Sequence, residues 1–352
     1  MLFKSNKDLI GVDIGSSSVK LVQLRESKGR YHLVTFGMTE LPTEVIVDNA
    51  IMDSAALADA IRGLVESLKI KTKNVATSVS GHSVIIRKIQ LPLMTEDELE
   101  ASIQWEAEQY IPFEVSEVNL DFHILGPDAN DPSVMNVTLV AAKKDMVNDY
   151  VAVFNECGMT PVVMDVDCFA LENAFESCLG VEDEEVVALI NMGASAMNVN
   201  ILKAGNTVFT RDVQVGGNMV NDEIQKRLGL NSEDSERAKR GEEVEGADSD
   251  SVQEIVATAT ESLAQEVQRS LDFFSATSAD EKVHKVFITG GVSQTPGVKG
   301  MLEKRLGISV EVFNPFELMG VDSKEFDPEY IQNVGPMFTV GVGLAMRRAG
   351  DK

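Results

Sequence analysis

Asp13, Gly15, Ser16, Ser17, Ser18 and Lys20 sit together between an apolar run, Leu9-Ile10-Gly11-Val12, and an alternating one, Val19, Leu21, Val22 and Leu24. Each type has a use at a bound phosphate. Gly15 lets the backbone turn without a side chain in the way, and the N–H groups and hydroxyls of the three serines can donate to an anion. Asp13 is placed to hold Mg²⁺ through water, and Lys20 to reach back over the turn as a point charge. The same stretch also reads as an ordinary β-hairpin with a Ser-rich turn.

A second stretch repeats the pattern. Asn191-Met192-Gly193-Ala194-Ser195 lies between the apolar Ala188-Leu189-Ile190 and an alternating run from Met197 to Leu202, and Asn191 stands 178 residues after Asp13. Two such hairpins facing each other make a two-sided phosphate clamp, and the chain reads as two related halves. Asp167, at the junction of a strand (162–166) and a helix (168–178), can orient a water for attack on a terminal phosphate, and it equally suits a helix N-cap. Gly290-Gly291 separates a strand (286–289) from a helix opened by Pro296-Gly297, which brings backbone close to a flat group such as a purine.

Hydrophobic periodicity gives the elements that must hold these residues. The first unit reads strand-strand-strand-helix-strand: the hairpin, a strand at 31–38, a helix at 54–69 with Ser54 as its N-cap, and a strand at 74–79. Residues 84–160 read as an inserted strand-helix-strand-strand-helix block, whose first helix opens with the capping box of Thr95 and Glu98. Trp105, the only tryptophan, reads as a partly buried core anchor or as an interface residue of that block. After the second hairpin come a strand (207–215), helices at 219–228, 232–240 and 251–274, and a last helix at 338–348. The expected division is a first core unit at 1–83, 161–180 and 335–352, the insertion at 84–160, a second core unit at 181–215 and 251–334, and a helical accessory part at 216–250.

At 352 residues and 44% hydrophobic composition, the chain is long enough for two globular domains. No apolar run approaches the roughly 20 residues that cross a bilayer, and residues 1–8 lack the apolar core of a signal peptide, so a cytosolic protein is expected. Cys157, Cys168 and Cys178 have no C-x-x-C spacing and read as structural thiols. A net charge of −25 argues against whole-surface binding to nucleic acid or anionic lipid and would attract a basic segment. The acidic runs 182–185 and 242–245 read as solvated loops.

In this order the motifs resemble the actin-like, sugar-kinase and heat-shock-chaperone ATPase superfamily. Asp13 to Lys20 resembles its first phosphate motif, Asn191 to Ser195 its second, Asp167 its catalytic connecting residue, and Thr289-Gly290-Gly291-Val292 its adenosine motif. The block inserted near residue 85 resembles that of the cell-division protein FtsA. Glu106-Ala107-Glu108-Gln109-Tyr110-Ile111-Pro112, Asp165-Val166-Asp167 and Arg269-Ser270-Leu271-Asp272-Phe273-Phe274 resemble the PilM family of type IV pilus assembly proteins, as does the lack of a membrane-binding tail.

The resemblance implies an α/β, actin-like (ribonuclease H-like) duplicated fold with an ATP cleft between two domains and an FtsA-type inserted subdomain. It implies ATP and Mg²⁺ as ligands. Gly15, Ser16, Ser17, Ser18, Lys20, Asn191, Gly193, Ala194, Ser195, Gly290, Gly291 and Val292 would surround the nucleotide, with Glu236 and Lys239 on the adenosine side. Asp13 and Asn191 would hold Mg²⁺ through water, and Asp13 and Asp167 would be catalytic. Because Asn191 replaces the Asp usual in the superfamily's second phosphate motif and removes a negative charge, hydrolysis is expected to be weak or absent. The implied partner is the cytoplasmic N-terminal tail of PilN, which would hold the protein at the inner membrane and link it to PilO, PilP and the pilus motor; a homo-oligomer is compatible. The tail groove is expected between the insertion, from Val84, and the first domain. Competing readings are a sugar- or acetate-kinase-like phosphotransferase and an FtsA-like filament former.

Overall fold

The computed structural model describes residues 9–128, 131–180, 185–278 and 281–351; of the acidic run 182–185, the first three residues lie outside them. Strands β1 (Leu9–Ile14), β2 (Ser18–Ser27) and β3 (Arg30–Glu40) form an antiparallel meander. A short ribbon, β4 (Ile46–Val47) with β5 (Ala50–Ile51), leads to α1 (Ser54–Ser67), and β6 (Asn74–Val79) returns parallel to β1. Helix α1 buries Leu57, Ala58, Ile61 and Leu64, the i, i+3, i+4 stripe that its periodicity predicts. Its cap is Asp53, whose carboxylate accepts from the Ala56 N–H at 3.0 Å. Ser54, expected as the cap, is instead the first helical residue, because the adjacent carboxylate takes the role.

The insertion consists of β7 (Val84–Pro92), α2 (Glu96–Ala107), β8 (Val118–Pro127) and β9 (Val134–Lys143), while the next helix, α3 (Lys144–Glu156), expected to close that block, instead buries Val153 and Phe154 in the core of the first unit with Leu57 and Ile61 of α1. The sheet of the insertion runs in the order β7-β9-β8 and shares a core with the buried face of α2, Leu99, Ile103 and Ala107. The capping box of Thr95 and Glu98 is complete. Trp105 lies about 200° around the helix from Ile103 and is 73% exposed, so it is not the core anchor that its size suggested.

Strand β10 (Thr160–Val166) completes the first sheet beside β6 and runs into α4 (Asp167–Cys178). The second half carries β11 (Val186–Met192), β12 (Met197–Lys203) and β13 (Asn206–Val213), then α5 (Asn218–Leu228), α6 (Ser232–Lys239) and the long α7 (Ser249–Thr277). It closes with β14 (Lys285–Thr289), α8 (Val298–Leu306), β15 (Ser309–Val312), α9 (Pro328–Val334) and α10 (Thr339–Ala345).

The two five-stranded sheets, β10-β6-β1-β2-β3 and β15-β14-β11-β12-β13, have one topology: an antiparallel meander followed by two parallel strands. The repeat read from the sequence is therefore a repeat of register. Asp13 faces Lys20 in the first hairpin and Asn191 faces Asn198 in the second. Both turns close alike, Gly15 N–H donating to the Ser18 carbonyl at 3.0 Å and Gly193 N–H to the Ala196 carbonyl at 2.9 Å.

Between the sheets, α10 packs on α4 and on β1. The approach requires a missing side chain, since a β-carbon on Gly343 would collide with the Ala170 carbonyl. The expected last helix is shorter than residues 338–348: a 3₁₀ turn through Gly335–Phe338 precedes α10. Beyond it, Arg347 grips the buried Asp165 through two hydrogen bonds of 2.6 and 2.9 Å, a bidentate pair that fixes the end of α10 to β10. Among the described residues no helix is long and apolar enough to cross a membrane.

Candidate functional site

In the first hairpin, facing positions of an antiparallel pair put Asp13 and Lys20 on one side of the sheet. Lys20 Nζ lies 3.2 Å from Asp13 Oδ2, and both side chains are largely buried. Ser17 is exposed at the turn and Ser16 half-buried, whereas Ser18 is buried, its carbonyl closing the turn on Gly15.

The second hairpin replaces the ion pair with amides. Asn191 Nδ2 donates to Asn198 Oδ1 at 3.2 Å. Behind its turn, Gly217 and Asn218 donate their N–H groups to the carbonyls of Gly193 and Ala194 at 3.0 and 2.8 Å, and Asn218 Nδ2 reaches Ser195 Oγ at 3.1 Å. A β-carbon on Gly216 would fall 2.5 Å from both of those carbonyl oxygens, so the Gly216-Gly217 pair is what lets α5 start against the hairpin. Gly216-Gly217 is the same Gly-Gly signal in the sequence as Gly290-Gly291.

Gly290 has φ +84°, and a β-carbon there would fall 2.5 Å from Asn191 Oδ1. Its N–H donates to the Pro336 carbonyl at 2.9 Å, and Thr289 Oγ1 shares that acceptor at 2.7 Å while meeting Thr339 Oγ1 at 2.6 Å. Gly291 is exposed, whereas the Val292 side chain is buried and packs toward Gly217, leaving only its backbone for a ligand. Helix α6 brings Lys239 beside Gly217 as well. Lys239 is buried and paired with Glu236, which also accepts from Asn221 Nδ2 at 2.7 Å and Arg240 Nε at 3.0 Å. Burial lowers the Lys239 pKa against the opposing pull of Glu236. The residues from the second hairpin, α5, α6 and the Gly-Gly turn thus meet in one place.

Asp167 is the first residue of α4 and does not cap it: the cap position is Val166, which has no side chain able to do so. Its carboxylate accepts from Ser78 Oγ at 2.6 Å instead. Burial pushes the Asp167 pKa up to about 6, with Asp13 and Asp212 raising it further and hydrogen bonds from Ser78 and Ser80 opposing. Burial raises the pKa of the Tyr150 phenol, and the carboxylates of Asp167 and Asp13 add to it.

Among the described residues no group of three or more His, Cys, Asp or Glu side chains forms a metal cage. Asp13 and Asp167 with the neutral Asn191 suit Mg²⁺, which takes one or two carboxylates and completes its shell with water and phosphate. A cavity of about 280 Å³ is lined by Ser80, His82, Val84, Arg87, Arg211 and Gln214 around Asp167. Strands β7 and β13 are edge strands of their sheets, and residues of both line it.

The family model for type IV pilus assembly protein PilM matches residues 11–349. A solved PilM–PilN type IV pilus biogenesis complex is 29% identical, covers 97% of this chain and 98% of its own, and superposes with a TM-score of 0.86. Cell division protein FtsA of Bacillus subtilis (strain 168) is 20% identical over 94% of this chain and 83% of its own length. MreB5 of Spiroplasma citri bound to AMPPNP is 13% identical, with coverage of 96% and 95% and a TM-score of 0.52. The fold is that of the actin-like ATPases, as the motifs implied.

Proposed function

The chain belongs to the PilM family of type IV pilus assembly proteins, and from that premise we propose that it is a nucleotide-binding scaffold of the pilus assembly machinery. It binds ATP with Mg²⁺ between its two hairpins and grips the cytoplasmic N-terminal tail of PilN. Through PilN it is held at the inner membrane and linked to PilO, PilP and the pilus motor.

The observation that carries the nucleotide half is the pair of hairpins in identical register, Asp13 facing Lys20 and Asn191 facing Asn198, beside a cradle that side chains at 216 and 290 would fill. In the AMPPNP-bound MreB5 the same fold carries a nucleotide. Ser16, Ser17 and Lys20 serve the phosphates from one side, and the Gly193-Ala194-Ser195 turn from the other. Gly290, Gly291 and the Val292 backbone flank the base, with Lys239 and Glu236 at the ribose. Asp13 and Asn191 would hold Mg²⁺ through water, and the ion would supply neutralisation of phosphate charge. Asp167, with its raised pKa, is the group able to take a proton from an attacking water. The metal site has one carboxylate fewer than the superfamily pattern, so turnover is slow and the nucleotide acts chiefly as a ligand.

The tail half rests on the likeness to the PilM–PilN complex and on the edge position of β7 in the sheet of the insertion. An extended peptide recognised through backbone hydrogen bonds needs a free strand edge and pockets beside it, and β7 supplies the edge. Calorimetric titration tests both halves, with Mg·ATP and with a synthetic peptide of the PilN tail from the same genome. Saturable one-to-one binding of each supports the reading, binding of the peptide alone leaves only a peptide scaffold, and robust phosphoryl transfer to a sugar or acetate would replace it with a kinase.

A further inference from the structure

The second half carries a row of polar side chains that the first half lacks. From Asn191 the row crosses β12 and β13: Asn191 Nδ2 donates to Asn198 Oδ1 at 3.2 Å, and Asn198 Nδ2 donates to Asp212 Oδ1 at 2.7 Å. The other carboxylate oxygen, Asp212 Oδ2, accepts the backbone N–H of Gly81 at 2.6 Å, across 131 residues of chain and from one half of the molecule to the other. At the matching positions of the first half the row is Asp13, Lys20 and Met38, and it ends on an apolar side chain.

We propose that Asp212 is a positioning residue that couples the second hairpin to the cavity at the root of the insertion; this rests on the nucleotide reading above. Every link of the row is filled by one donor and one acceptor. Asn198 uses its amide N–H toward Asp212 and its carbonyl toward Asn191, so a change at either end must be passed on or leave a polar group unpaired. Gly81 is held too: it has φ +86° and packs against Asn49, whose amide a β-carbon would strike. Its carbonyl accepts the N–H of Val84, the first residue of β7, at 3.0 Å. A shift of Asp212 is therefore handed to β7 and the cavity wall. Phosphate oxygens at the second hairpin compete for the Asn191 amide N–H, and the bond they take is the one that anchors the row. By linkage, whatever occupies the cavity acts back on the nucleotide by the same factor.

Hydrogen–deuterium exchange over residues 80–87, with and without Mg·AMPPNP, tests the coupling in the parent and in Asp212→Asn and Asn198→Ala, each checked by thermal melting and by AMPPNP titration. In the parent, saturation with AMPPNP should change exchange in this segment by about fivefold or more, the low end of typical coupling. Both variants should bind AMPPNP within about threefold of the parent, exchange faster over 80–87 without nucleotide, and no longer respond to it, a loss that mere destabilisation does not produce. A response in the variants equal to the parent's overturns the coupling, and so does a nucleotide-loaded parent whose segment 80–87 is unmoved. Failure of AMPPNP to bind the parent at all appears in the titration alone and rejects the nucleotide reading, taking the coupling with it.

Discussion

Gly290 and Asn191 meet so closely that a β-carbon on the glycine would lie 2.5 Å from the amide oxygen of Asn191 and 2.6 Å from the Met192 carbonyl. The backbone there, φ +84° and ψ 172°, is a region open essentially to glycine alone. Gly290→Ala therefore suffers both collision and strain, each of about 1–3 kcal/mol. Urea denaturation should show the variant less stable by about 2–6 kcal/mol, and titration should show weaker nucleotide binding. A variant as stable as the parent would mean that the turn is free to move away from the hairpin.

Lys20 is the one ammonium that the first hairpin holds over its turn, and it is paired with Asp13 at 3.2 Å. Lys20→Ala should weaken Mg·ATP binding by about tenfold or more, since a charge-assisted contact to phosphate is worth about 1.5–3 kcal/mol. Unchanged affinity would place the phosphates elsewhere.

Asp167 makes a pH-dependent contribution whose sign follows from its raised pKa of about 6 against an ordinary 3.8. The folded chain keeps the proton longer than the unfolded chain, so stability from this group is intact below pH 3.8 and is lost as pH rises toward 6. Above that the penalty is constant, up to about 3 kcal/mol at about 1.4 kcal/mol per unit. Asp167→Asn removes it. The variant should match the parent near pH 4 and exceed it in stability by up to about 3 kcal/mol at pH 8, measured by denaturant titration at both pH values. An advantage independent of pH would show that the carboxylate ionises without a penalty.

Trp105 projects into solvent from α2, away from the buried Leu99, Ile103 and Ala107. Trp105→Ala should leave stability within about 0.5 kcal/mol, read from the urea midpoint. A loss of several kcal/mol would mean that the ring is packed after all.

What the sequence disclosed and what it hid differ in the range of the interaction. The hairpins were legible because strand register is local: a polar residue, a glycine and a small turn between apolar runs recur at the same spacing, and the sheets repeat it. The fold followed from four such motifs in order. The outward placement of Trp105 is also legible, since residue 105 is off the stripe of 99, 103 and 107, and here helical phase prevails over the tendency of a large aromatic ring to be buried. The cap of α1 was missed by one residue because Asp53 and Ser54 are both good capping types. Asp212 was out of reach. Nothing local marks it, and its partner Gly81 is a backbone amide from the other half of the chain. Contacts that join the halves through one glycine N–H or one missing β-carbon have no periodicity to betray them.

The polar row also predicts how hydrolysis could be restored. Asn191→Asp alone returns the superfamily's carboxylate to the metal site, yet it puts an acceptor where Asn198 now receives a donor. If the Asn198 amide turns to serve the new carboxylate, its oxygen faces Asp212, acceptor against acceptor. The single variant should therefore lose about 1–3 kcal/mol of stability, the cost of an unpaired buried polar group. Adding Asp212→Asn resolves the conflict. Asn198 then donates to the carboxylate at 191, the new amide at 212 donates to the Asn198 oxygen, and its own oxygen still accepts from Gly81, so the row is complete with both side-chain bonds reversed, the Gly81 bond kept and the charge moved two strands inward. The double variant should recover the parent's stability and release phosphate faster than either parent or Asp212→Asn, by about tenfold for each 1.4 kcal/mol of transition-state stabilisation regained. A double-mutant cycle in urea and a phosphate-release assay read the two effects separately. Additive stabilities would show that residues 191 and 212 do not share a network, and a rate no higher than the parent's would show that the missing carboxylate is not what limits turnover.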